Sequence, residues 1–154
     1  MKSKWVKMML VIGLVILVGV LALQTPKIGN AENEANALIG SWKVTVTPDG
    51  MASFGSEAIF SSDGTVTIIE DSGAVGLGVW EKLSGDQYAF TVWEYLEQDG
   101  SMFKSKVTSK ITLDNKEQYS GPFFFEFMTL DGYVIVSGNG TAAGVRNHIE
   151  PMPN

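Results

Sequence analysis

Four Asp-Gly pairs, Asp49-Gly50, Asp63-Gly64, Asp99-Gly100 and Asp131-Gly132, cut the chain beyond residue 40 into short apolar stretches. Asp-Gly between apolar runs favours a tight hairpin, because both residues tolerate the positive φ that a type I′ turn demands. Further breaks fall at Ser72-Gly73, at Ser84-Gly85-Asp86 and at the DNKE run from Asp114. Between the breaks the spacing predicts eight strands, over 41–47, 56–61, 65–70, 76–83, 87–97, 101–113, 118–129 and 133–147. No segment in this region carries a helical period beyond a short turn around Asn36 to Ile39. The spacing is that of an antiparallel meander.

The alternation says which side of the sheet is buried. In MFKSKVTSKITL, Phe103, Val107, Ile111 and Leu113 fall on one face, and Lys104, Lys106, Thr108, Lys110 and Thr112 on the other. The next strand puts Tyr119, Phe123, Phe125 and Phe127 on a common inward face and leaves Phe124 on the outer side. A meander with one wet face must hide its two edges, and closing on itself removes them. The expected fold class is all-β, an eight-stranded antiparallel up-and-down β-barrel. A membrane-spanning barrel needs an apolar outer band, and the lysine row from Lys104 to Lys110 contradicts one.

Residues 1–31 read as a signal peptide. Lys2, Lys4 and Lys7 precede an uncharged run from Met8 to Leu23, and small residues at Gly29 and Ala31 offer a cleavage site after Ala31, with Ala35 to Ala37 as a second choice. That run is short for a bilayer span, which needs about 20 residues, so an uncleaved anchor is the alternative reading. The domain plan is then a linker with a short 3-10 turn over 32–40, a barrel over 41–150 and a tail over 151–154. Losing Lys2, Lys4, Lys7 and Lys27 leaves seven basic residues against all 17 acidic ones, a charge near −10. Such a domain is repelled by phosphate backbones, which excludes nucleic acid as a partner, and contact with a membrane is expected only through an uncleaved signal. The chain has no cysteine, which removes a lipobox, thiolate metal sites and thiol nucleophiles.

The stretch ALIGSWKVTVTPDG starts with a short turn and opens the first strand with Gly40-Ser41-Trp42, and the last strand carries Arg146 in GTAAGVRN. Here the chain resembles the calycin superfamily, in particular small exported lipocalin-like barrel proteins of bacteria. The resemblance implies that Gly40 and Trp42 belong to a G-x-W motif after a 3-10 turn, and that Arg146 packs over the tryptophan to close one end of the barrel. A guanidinium on an indole face combines cation–π attraction with hydrogen bonds to the carbonyls of the turn below. The sequence departs from the proper lipocalins in its T-D-Y-like motif, at most echoed by Thr112, Asp114 and Tyr119, and in having no disulfide.

The interior can be filled or hollow. Three inward phenylalanines, Phe123, Phe125 and Phe127, with Tyr88 and Phe90 from the fifth strand, supply apolar walls. Ser105 and Ser109 on the neighbouring strand leave volume and offer hydroxyls. These seven residues are the expected ligand contacts. The fifth strand also carries Trp93 and Tyr95 opposite Tyr88, Phe90 and Val92, a pattern explained by a β-bulge that reverses the alternation, which is the favoured reading, or by an external aromatic patch used for association. The bulge turns Glu94 outward; unbroken alternation turns it inward, where a carboxylate must be paired or have a raised pKa. Glu94 is thus the one weak candidate for acid–base catalysis, since Asp49, Asp63, Asp99 and Asp131 are explained by turn chemistry. His148, the only histidine, reads as a surface residue, and no metal site or cofactor is expected. The reading leans away from an enzyme. It favours an exported protein, periplasmic or extracellular and a monomer or weak dimer, that binds a small apolar or amphipathic ligand in the barrel. An isomerase or cyclase using the cavity, and an association module with a filled barrel, are the alternatives.

Overall fold

A computed structural model describes residues 37–148. The expected signal peptide, most of the linker and the C-terminal tail lie outside the described residues. Eight strands follow one another in a closed, wholly antiparallel barrel: β1 (Gly40–Pro48), β2 (Phe54–Phe60), β3 (Thr65–Glu70), β4 (Val75–Ser84), β5 (Gln87–Gln98), β6 (Ser101–Asn115), β7 (Gln118–Thr129) and β8 (Val134–Arg146). Each strand pairs with its neighbour in sequence, and β8 returns to β1 from Trp42 opposite Arg146 to Pro48 opposite Gly140.

The turns differ in detail from the expectation. Only Asp99-Gly100 has both residues at positive φ, 51° and 74°, as a type I′ turn requires. At Asp63-Gly64 and Asp131-Gly132 the aspartate keeps a negative φ and the glycine alone is left-handed. The Gly64 and Gly132 amides donate back to the carbonyls of Ser61 and Thr129, at 3.1 and 3.0 Å. The aspartates act through their side chains instead: Asp63 Oδ1 accepts from both the amide and the hydroxyl of Thr65, at 2.9 and 2.7 Å. Those bonds hold the Asp63 carboxyl below its ordinary pKa.

The bulge expected in β5 is absent. The β5–β6 ladder runs without a shift from Gln87 opposite Thr112 to Gln98 opposite Ser101, so Tyr88, Phe90, Val92 and Glu94 all face inward. The physical reason lies outside the barrel, where the Trp93 ring is covered by the ammonium groups of Lys104 and Lys106, at 4.0 and 5.4 Å from its centroid. An outward tryptophan therefore needs no reversal of the strand. Register shifts occur elsewhere, at Lys82/Ser84, Leu113/Asn115 and Phe127/Met128.

Glycines on β8 let the sheet curl tightly. A Cβ at Gly138, Gly140 or Gly144 would meet the rings of Phe125, Phe123 and Tyr119 at 2.7, 2.4 and 2.3 Å. Aromatic rings on β7 thus lie flat across bare backbone on β8, which lets β8 approach β1 and complete the barrel. Phe124, between them in sequence, is exposed on the outer face.

Candidate functional site

One end of the barrel is packed shut. Arg146 lies with its guanidinium carbon 4.1 Å from the Trp42 ring centroid. It donates to the carbonyls of Lys116 (2.7 Å), Ile39 (2.9 Å) and Ala37, and the Trp42 indole donates to Leu38 (2.9 Å). Gly40 is required there: its φ is +138°, and a Cβ would sit 2.6 Å from Arg146 Nη1. Behind this lid Trp42, Phe60, Trp80, Tyr88 and Tyr119 meet edge-on or tilted, with centroids 5.1 to 6.2 Å apart. Edge-to-plane contacts of this kind fill space without a gap between rings.

Toward the other end the inward side chains shrink, and a cavity of about 260 Å³ opens. Its walls are Val44 and Val46 of β1, Ala58 of β2, Ile68 of β3, Phe90 of β5, Val107 of β6, Phe123 and Phe125 of β7, and Ala142 of β8. It meets solvent at the β1–β2 turn, where Met51 and Phe54 line it and are themselves exposed. Polar residues in the wall are few: Ser56, Glu70, Glu94, Ser105 and Tyr119, whose hydroxyl burial keeps protonated.

Glu94 is the unusual member. It is only 5% exposed and projects from β5 into the cavity. Its strand neighbours are Gly76 on β4 and Ser105 on β6. Gly76 makes room for it, since a Cβ there would stand 2.9 Å from Glu94 Cγ. Burial raises its pKa to about 7, and the nearby Glu70 carboxylate adds to the rise, while a hydrogen bond from Ser105 works against it. No cation pairs with Glu94 among the described residues. Lys104 and Lys106 flank Ser105 in sequence but point outward, where Lys106 also meets Glu126 at 3.6 Å.

The structure brings Ser105, Phe90, Phe123 and Phe125 together on this cavity. It leaves the other three expected contacts out of the lining, for separate reasons. Ser109 spends its hydroxyl on the Pro122 carbonyl at 2.9 Å. Phe127 stacks on Phe103, centroids 5.0 Å apart. Tyr88 is fully buried in the closed end against Trp80. The sequence reading missed Glu70, Ser56 and Gly76. Glu70 was within reach, because Val66 and Ile68 place it on the inward face of β3, and a glycine inside a strand marks close approach of another group. His148 forms an exposed contact with Glu117, Nε2 to Oε2 2.7 Å, and no group of three His, Asp or Glu residues that could hold a metal exists among the described ones. On the outer face Val75, Leu77 and Val79 of β4 form an exposed apolar row beside Trp93, broader than the patch expected from Trp93 and Tyr95 alone.

No protein-family model matches the chain, and no curated protein does. Among solved structures it is similar to a de novo designed fluorescence-activating β-barrel, at 14% identity and a TM-score of 0.49, covering 73% of this chain and 96% of that one. It is also similar to a redesigned β-barrel, at 17% identity and a TM-score of 0.39, covering 80% of this chain and all of the other.

Proposed function

We propose that this protein is an exported barrel of lipocalin-like type that holds a small apolar or amphipathic molecule in its interior without chemical change. The observation that carries the reading is the cavity itself: about 260 Å³, walled by aliphatic and aromatic groups, sealed at the Trp42–Arg146 end and reaching solvent at Met51 and Phe54. An apolar pocket with a few convergent polar groups is the usual form of a small-molecule site. The G-x-W and arginine geometry at the sealed end supports the lipocalin-like assignment, and the N-terminal sequence supports export.

The test is native mass spectrometry on the protein purified from its own host, followed by titration with the neutral fluorophore N-phenyl-1-naphthylamine. A retained small molecule, or fluorescence enhancement that Ala142→Leu abolishes by filling the cavity, is the expected result. A bare polypeptide mass, together with no enhancement by either form, would sink the reading.

A second reading, acid–base catalysis of the isomerase or cyclase kind, is favoured by one observation: a carboxyl poised near neutrality inside an apolar cavity. It requires the molecule recovered from the protein to be converted on incubation with the wild type and left unchanged by Glu94→Gln. Equal behaviour of the two proteins removes it.

A further inference from the structure

We infer that the cavity is built for an organic cation, a molecule with an apolar body and a protonated amine or quaternary ammonium head that lies against Glu94 and Glu70. The inference rests on the ligand-binding reading above and names the chemical class of the ligand. It starts from the charge balance of the lining. Among the described residues two carboxylates face the cavity, and no lysine, arginine or histidine does. A fatty acid or other anionic amphiphile would bring a third negative charge into an apolar enclosure, where opposing charges are felt most strongly. A cation would supply the countercharge that Glu94 lacks.

The barrel could have neutralised Glu94 from within and does not. The groups packed around it are Gly76 from β4, Glu70 from β3 and Ser105 from β6. The cations nearest in sequence, Lys104 and Lys106, are held outside on Trp93. From β1, β2, β7 and β8 the cavity receives no charged group; Tyr119 is the one titratable residue these strands contribute to its wall. A carboxylate has room for about four hydrogen bonds, and a single serine hydroxyl leaves most of that capacity unused. Ser72 donates to Glu70 at 3.0 Å, which orients that carboxylate without neutralising it.

The surroundings select an organic cation over a metal ion. Calcium takes six to eight oxygen ligands and magnesium keeps an octahedral shell, whereas this wall offers two carboxylates and two serines amid hydrocarbon. Phe90, Phe123 and Phe125 line the same space, and aromatic faces attract alkylammonium groups once water is excluded. The ionised carboxylate is the form that binds the head group, so affinity rises with pH through the titration of Glu94.

Calorimetric titration of the protein with three probes of one chain length, octylammonium, 1-octanol and octanoate, tests this. At about pH 8 octylammonium is expected to bind at least about tenfold more tightly than octanol, and octanoate more weakly than either, as a charge-assisted hydrogen bond in a dry site implies. The preference for ammonium over alcohol is expected to shrink at about pH 5.5 and to fall to within about twofold in Glu94→Gln, with a partial loss in Glu70→Gln. Octanoate binding as tightly as octylammonium, or a preference that survives in both variants, overturns the inference while leaving a ligand-binding barrel in place. Binding of none of the three overturns the inference and the ligand-binding reading together. Glu70→Gln, at the wet mouth of the cavity, keeps the test decisive should Glu94→Gln fail to fold.

Discussion

The two ends of this barrel are made by the same strands under the same alternation, yet one is solid and the other hollow. At the closed end the inward positions carry Trp42, Phe60, Trp80, Tyr88 and Tyr119, whose rings interlock beneath the Arg146 lid. Toward the other end the inward positions include Ser56 of β2, Ser105 of β6 and Ala142 of β8, small side chains that line the cavity, while the rings of Phe123 and Phe125 lie over Gly140 and Gly138. Whether an eight-stranded barrel is filled or hollow is thus set layer by layer, by side-chain volume, and not by the strand count. Polarity follows the same division. The closed end uses its polar atoms within itself, on the carbonyls of Ala37, Leu38 and Ile39, while the open end points two carboxylates at empty space.

The comparison breaks most visibly at Trp42. Trp42→Ala removes a fully buried indole, its bond to Leu38 and the surface on which Arg146 lies, and is expected to destabilise the fold by about 3–5 kcal/mol in urea unfolding. Phe54→Ala, at the open rim where the ring is 37% exposed, should cost well under half of that. Equal losses would show that the two ends are not differently packed.

Glu94 gives the next largest effect, and its sign depends on pH. Its pKa is about 7 in the fold against an ordinary value near 4.5, so the fold favours the neutral acid. The associated stability is fully present below about pH 4.5 and is lost as pH rises through about 7, a fall on the order of 3 kcal/mol. Glu94→Gln has nothing to titrate. It is expected to match the wild type in acid and to exceed it in denaturant midpoint at about pH 8. Parallel stability curves from about pH 5 to 8 would mean that the Glu94 carboxyl is hydrated.

Enlarging two small residues of β8, one against the closed end and one on the cavity wall, sharpens the contrast. Gly144→Ala puts a Cβ 2.3 Å from the Tyr119 ring in the closed end and should cost about 1–3 kcal/mol. Ala142→Leu adds three carbons next to the cavity and should change stability by less than about 1 kcal/mol in either direction, while reducing the space for a ligand. The smallest effect belongs to the outer surface. Lys104→Ala removes the nearer of the two cations from the Trp93 face, worth about 0.5–1 kcal/mol, and should leave the inward direction of Glu94 unchanged.

The surroundings of Trp93 are not legible in the local sequence. Trp93 looked as though it belonged inside, and a bulge was the economical way to place it there. The lysines that make an outward tryptophan acceptable sit on the adjacent strand, in a register that neighbours along the chain do not reveal. Ser105 and Ser109 show the same limit. They are alike in sequence and face, and they part only because the Pro122 carbonyl is within reach of one and the cavity of the other.

The sequence by itself determined the eight strands, the positions of the turns between them, the inward and outward faces of β6 and β7, and hence the closed barrel, because each follows from local periodicity and turn chemistry. Only the tertiary structure decided that the barrel is hollow at one end and that Glu70 and Glu94 look into the same space. Both depend on register and summed volume across strands distant in sequence, quantities that no local pattern carries.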